Sequence, residues 1–257
     1  MTPARSAGQL AAITRSNDHQ YTYQGVTYPG VTSILKVLDK SGPLMAWAAR
    51  MTAEAAIATL PNLPALLESV GPQGVVKALT SRSAWKNEEA RDLGTAVHQY
   101  ADDLVNGREL PTMPEAAWSR VKAYAGWWEA SGWTLRLSES YIVNPEIGYG
   151  GTFDLLCRDR DGATVLADIK TGKAVYPETG LQLAAYGACP ILGRPDDPMS
   201  YAMPTVDRYV VIHVTAEHVK EIPLAIGPSD FEAFKACYVL HNWTRATKSR
   251  PAGGLDL

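Results

Sequence analysis

Long apolar runs are missing from this chain of 257 residues. No stretch of about 18 apolar residues occurs, so no segment reads as a membrane span. Cysteine is scarce: Cys157, Cys189 and Cys237 are odd in number and widely separated, and none belongs to a CxxC pair. That excludes a zinc finger or a disulfide framework and fits a reducing compartment. A surplus of positive charge is missing too. Lys and Arg total 24 against 27 Asp and Glu, a net charge of −3. A generally basic nucleic-acid coat is therefore excluded, and any such contact must come from local patches. Residues 1–16 hold Arg5 and Arg15 but no apolar stretch for a signal peptide, so the expected location is the cytoplasm. No GxxxxGK[ST] loop occurs, since Gly172-Lys173 follows only Thr171, and a nucleotide-driven motor is not expected.

What is present is a globular composition, with 46% apolar and 20% charged residues. At roughly 150 residues per domain, the length suits one large or two small domains. Residues 1–18 read as a lead-in. His19 to Tyr28 alternate aromatic and polar residues around Gln24-Gly25, which predicts a small hairpin. Thr32 is placed to cap a short helix over 33–39. Pro43 opens an Ala-rich helix to about Leu60, and Pro61, Pro64 and Pro72 punctuate two pieces ending near Ser81. One long helix is expected over 83–106, with Ala90, Gly94, Val97, Ala101 and Leu104 at helical spacing. Another starts at Pro114 and sets Trp118, Val121, Ala125 and Trp128 on one face.

The pattern then changes to strands over 133–143, 150–158 and 163–170, a helix over 178–189, strands over 207–214 and 219–225, and a final helix from Ser229 to about Arg245. The expected fold is α+β, a mixed central sheet flanked by helices with a helical N-terminal half. Its expected parts are a helical region with a small hairpin (1–82), a core (83–250) and a short tail (251–257).

The chemistry concentrates in Gly151-Thr-Phe-Asp154 and Asp168-Ile-Lys170. A three-residue loop of Arg160, Asp161 and Gly162, with Gly162 left-handed, is a common hairpin connection. It pairs Asp159 with Ala163, and the same register sets Asp154 opposite Asp168. Side chains alternate along a strand, so Lys170 projects on the face of Asp168. A loop one residue longer or shorter would send the two carboxylates to opposite faces. Carboxylates side by side repel, so one takes a proton or a cation sits between them. Phe153, Leu155, Leu156, Val165, Leu166 and Ile169 surround them with apolar neighbours. A divalent cation resolves the conflict, and oxygen ligands suit Mg²⁺ or Mn²⁺. Taken alone, an Asp-x-Lys pair is an ordinary ion pair on a wet sheet face.

The ordered set resembles the PD-(D/E)XK nuclease superfamily, most closely its RecB-like exonuclease branch of phage and bacterial recombination nucleases. It comprises Gly94-x-x-x-His98, an acidic Glu139, Gly151-Thr-Phe-Asp154, Asp168-Ile-Lys170 with Thr171-Gly172-Lys173, and Gln182-x-x-x-Tyr186. The resemblance covers roughly residues 83–190. It implies a restriction-endonuclease-like core and a metal-dependent DNA exonuclease that processes DNA ends in recombination or repair. It implies metal ligation by His98, Asp154, Asp168 and the main-chain carbonyl of Ile169. Lys170 would orient or activate the water and stabilise charge on the phosphate. Glu139 would bind a metal through water or hold a second ion, and Gln182 and Tyr186 would position Lys170 or the nucleic-acid backbone. Some members of that branch hold an iron–sulfur cluster on four cysteines; with three scattered cysteines, none is expected here.

DNA is the expected partner, with a single-strand annealing protein and further copies of the chain as other partners the resemblance suggests. Arg82, Lys86, Arg91 and Lys173 are candidate phosphate contacts, along with the basic stretch Arg245, Lys248 and Arg250. Trp85, Tyr100, Trp127 and Trp128 are candidates for base stacking or for the core. Two other readings stay open: a DNA-binding or assembly module of the same fold with little catalysis, and a structure-specific endonuclease or RNase.

Overall fold

The computed structural model describes residues 11–38 and 41–248. The start of the expected lead-in, the tail 251–257, Arg250, and the side chains of Trp85 and Lys248 lie outside the described residues. The chain divides into two compact units: one runs to Val37 and resumes at Val97, and the other is Leu38–Ala96.

The first unit begins with a three-stranded antiparallel sheet of β1 (Ile13–Arg15), β2 (Gln20–Tyr23) and β3 (Val26–Pro29). The hairpin expected at Gln24-Gly25 is there: Tyr23 pairs with Val26, and both turn residues have positive φ, 50° and 79°. That is the turn whose twist matches the strands it joins. The following one-turn helix α1 (Val31–Ile34) is capped at Gly30 rather than Thr32, because the Gly30 carbonyl accepts from the Ser33 and Ile34 amides.

The second unit holds α2 (Ser41–Thr59) and most of α3 (Leu63–Val105). The break expected near Ser81 is absent. The helical path is interrupted instead at Gly71 (φ 68°, ψ 173°) just before Pro72. Proline disfavours a helical residue before it, and only glycine takes that conformation without strain.

Beyond α3 come α4 (Glu115–Ser131), β4 (Thr134–Asn144), β5 (Tyr149–Arg158), β6 (Thr164–Lys170), α5 (Glu178–Gly187), β7 (Ile191–Gly193), β8 (Ser200–Ala202), β9 (Arg208–Val214), β10 (Val219–Leu224) and α6 (Pro228–Lys248). The seven strands form one mixed sheet in the order β10-β9-β6-β5-β4-β7-β8, with β6 and β9 the parallel pair. Helix α5 packs on β5 and β6, and α4 on β9 and β10. The protein is thus α+β, a mixed sheet flanked by helices with a helical N-terminal half. The short strands β1, β7 and β8 leave no pattern in the sequence, because three residues are too few to show alternation. On α4 the buried side is Ala117, Val121 and Tyr124, while Trp118 stands 60% exposed.

The core sits on the central strands. Phe153, Leu155, Leu156, Val165, Leu166 and Ile169 are all buried, as their apolar run requires. The small sheet joins this core where Ile13, Tyr21 and Tyr23 cluster with Val143 of β4. Among the described residues no helix is long and apolar enough to cross a membrane.

Candidate metal centre

The hairpin register expected from the loop is the one observed. Leu155 pairs with Ala167 and Arg158 with Thr164, and Gly162 has φ 82°. Regular pairing stops at Leu155, one residue before Asp154. There the carboxylate replaces a ladder bond, with Asp154 Oδ2 accepting the Ile169 amide at 2.6 Å.

Glu139 is brought to the same row from the other side. Ser138 pairs with Leu155 and Ser140 with Phe153, so Glu139 lies across from Asp154. Its backbone takes φ 41°, a conformation uncommon for a residue with a side chain. A bulge between Leu135 and Leu137 interrupts the simple alternation expected along β4. Three neighbouring strands therefore carry Glu139, Asp154 and Asp168 in a line, at strand spacings of about 4.8 Å.

His98 comes from α3, whose Val97 and Ala101 are fully buried. Its Nδ1 stands 3.5 Å from Asp154 Oδ2. One ligand atom each of His98, Glu139 and Asp154 lies within 4.8 Å of the others. The structure thus gathers these three. Asp168 is the deepest of the acids, 2% exposed, and is engaged differently: Lys170 Nζ approaches its Oδ2 at 2.5 Å. Gln182 donates to its Oδ1 at 3.0 Å and to the Tyr186 hydroxyl at 3.0 Å. Oδ2 makes no hydrogen bond of good geometry, so the ion pair is what balances it.

The electrostatics follow from burial and crowding. Burial, then Asp154 and Asp102, push the Glu139 carboxyl up to about 8. Burial and Asp154 push Asp168 up to about 6, against the opposing pull of Lys170 and His98. Burial alone would lower Lys170, but Asp168 and Asp154 outweigh it and hold the ammonium above its ordinary value. Burial likewise raises the Tyr186 hydroxyl, with Gln182 opposing.

The glycines of the motif have a steric reason. A Cβ on Gly151 would sit 2.6 Å from the Tyr186 ring, and one on Gly150 would sit 2.6 Å from Tyr21 Cβ. Tyr186 and the small sheet can reach the strand only because neither has a side chain.

The other expected residues are not members of this cluster. Arg82, Lys86 and Arg91 belong to the Leu38–Ala96 unit on α3, where Arg91 pairs with Glu88 at 3.8 Å. Lys173 is exposed in the loop after β6, and His213 meets the Gly172 carbonyl there at 2.7 Å. Trp127 packs on Tyr124 and Trp133 and donates to Glu221. The three cysteines are buried and free.

Three further residues neighbour the site. Asp102 acts on Glu139 and sits one turn beyond His98, a spacing that was available in the sequence. Arg15 also acts on Glu139, and Tyr21 bonds Thr152 at 2.8 Å. Both reach the site through long-range packing of the small sheet, which leaves no local signature. No protein-family model matches the chain, and no curated protein matches it.

Proposed function

We propose that the protein is a divalent-metal-dependent deoxyribonuclease on a restriction-endonuclease-like core, acting on DNA ends as an exonuclease. One observation carries this reading: His98, Glu139 and Asp154 converge from a helix and two strands beside a buried Asp168–Lys170 pair. The residues fit Mg²⁺ or Mn²⁺. The donors are carboxylates and one imidazole, the set such ions accept. Without a cation, Glu139 is driven toward its neutral form, and Asp168 Oδ2 relies on Lys170 for its counter-charge.

His98, Glu139 and Asp154 would hold the ion, with Asp168 and the Ile169 carbonyl beside it. When bound, it would draw charge from a phosphodiester and make a nearby water more acidic. Lys170 supplies a fixed positive charge where negative charge grows on the phosphate. It stays protonated because two carboxylates hold it so. Gln182 fixes Asp168 and Tyr186 together and so positions Lys170 indirectly. Lys173, and Arg82, Lys86 and Arg91, are proposed contacts to backbone phosphates, which bind without reading sequence.

The test is incubation of linear and covalently closed circular duplex DNA with Mn²⁺, Mg²⁺ or EDTA. Linear DNA should be degraded, closed circles should resist, and EDTA should stop the reaction. Asp154→Ala should lower the rate at least about 10³-fold. Cutting of closed circles would make it an endonuclease. No hydrolysis of any nucleic acid with either metal, or full activity in Asp154→Ala, would end the reading.

A further inference from the structure

Helix α2 is apolar on both sides. Met51 and Ala55 are buried, yet Met45 and Ile57 are 69% and 68% exposed, and Leu60 just beyond the helix is 59% exposed. Ala46, Ala49 and Ala53 are also exposed between them. A helix apolar all round is expected to be covered all round. Its nineteen residues carry only two charges, Arg50 and Glu54, both exposed and one turn apart. Neither forms an ion pair among the described residues. A cation preceding an anion is the weaker order for a pair within one helix, which leaves both open to an outside partner.

We infer that α2 is a docking surface for a second copy of the chain, the two helices packing antiparallel about a two-fold axis level with Met51 and Thr52. A two-fold interface must be complementary to itself. This one sets Ala49 against the partner's Ala53, Met45 against the partner's Ile57, and Arg50 near the partner's Glu54. Each pairing occurs twice. The alanines let the axes approach to about 8 Å. Charge argues against other occupants. A lipid surface or a nucleic-acid backbone is drawn by surplus cations, and this helix has one charge of each sign. The inference stands apart from the nuclease reading and from the metal centre.

Sedimentation of the full chain over a concentration series tests it. A monomer–dimer equilibrium is expected. Ile57→Glu, at an exposed position, should leave the far-UV circular dichroism unchanged and the chain monomeric. Arg50→Glu and Glu54→Arg should each weaken the dimer at least about 10-fold, and the double exchange should restore it to within about threefold. A wild-type monomer at about 100 µM would overturn the inference. So would a dimer indifferent to Ile57→Glu, a double exchange no better than either single, or a monomer that binds anionic phosphatidylglycerol vesicles through Ile57.

Discussion

The unit built on the large sheet and the Leu38–Ala96 unit dispose of their apolar side chains in opposite ways. The central strands of the first bury nearly every large apolar residue, and Glu139, Asp154 and Asp168 stand among them at the candidate metal centre. In the second, Met51, Ala55 and Val75 are the buried apolar residues among those described, while Leu44, Met45, Ile57, Leu60, Leu67, Val70 and Val76 are exposed. Burial is what stabilises a fold. The sheet unit is therefore expected to carry most of the stability, and the helical unit leaves more of its apolar surface exposed. Substitutions should divide along the same line.

The largest difference is expected in the core. Leu155→Ala, at a fully buried position of β5, should cost about 3–5 kcal/mol in urea unfolding. Val76→Ala, 59% exposed on α3, should change stability by less than about 0.5 kcal/mol. Equal losses would mean that the helical unit is as tightly packed as the sheet, and the contrast would fail.

A smaller contrast uses glycine. Gly151→Ala places a methyl group 2.6 Å from the buried Tyr186 ring, and overpacking of this kind costs about 1–3 kcal/mol. It should also disturb the Gln182 bridge between Tyr186 and Asp168. Gly42→Ala in α2 meets nothing within 4 Å and should stabilise the chain by about 0.5–1 kcal/mol. Thermal denaturation of the two variants should therefore move in opposite directions. A neutral Gly151→Ala would show that the strand and α5 can separate freely.

The same contrast explains what the sequence made legible. The Asp154–Asp168 register followed from one local fact, the length of the loop ending in Gly162, and local facts survive folding. The role of Gly151 was less visible, because a close approach is a property of the partner, here Tyr186. Glu139 could be placed on a strand but not on a face. The bulge between Leu135 and Leu137 shifts the alternation before it reaches the site. Arg15 and Tyr21 come from more than a hundred residues away, so nothing near them in the chain marks them. On α3 the long apolar spacing was readable, but the break moved to Gly71 because that residue and Pro72 act together.

The last contrast is electrostatic and belongs to the sheet unit alone. The folded chain holds a proton on Glu139 up to about pH 8, whereas the unfolded chain releases it near pH 4.3. Between those limits the folded state binds more protons, so raising the pH lowers stability across that window and the loss levels off above it. Asp168, raised to about 6, adds to the fall at the acidic end. Each tenfold change in proton affinity is worth about 1.4 kcal/mol, and each kcal/mol moves the midpoint by about 2–4 °C at this chain length. Glu139→Gln has no proton to lose there. In EDTA, its melting temperature should therefore fall less than that of the wild type between pH 5.5 and 8.5. Mn²⁺ should stabilise the wild type more as the pH rises, because the cation then takes over from the proton. Parallel melting curves for the two proteins in EDTA would show that Glu139 is already ionised, and that the crowding of the three carboxylates is relieved by something other than a proton.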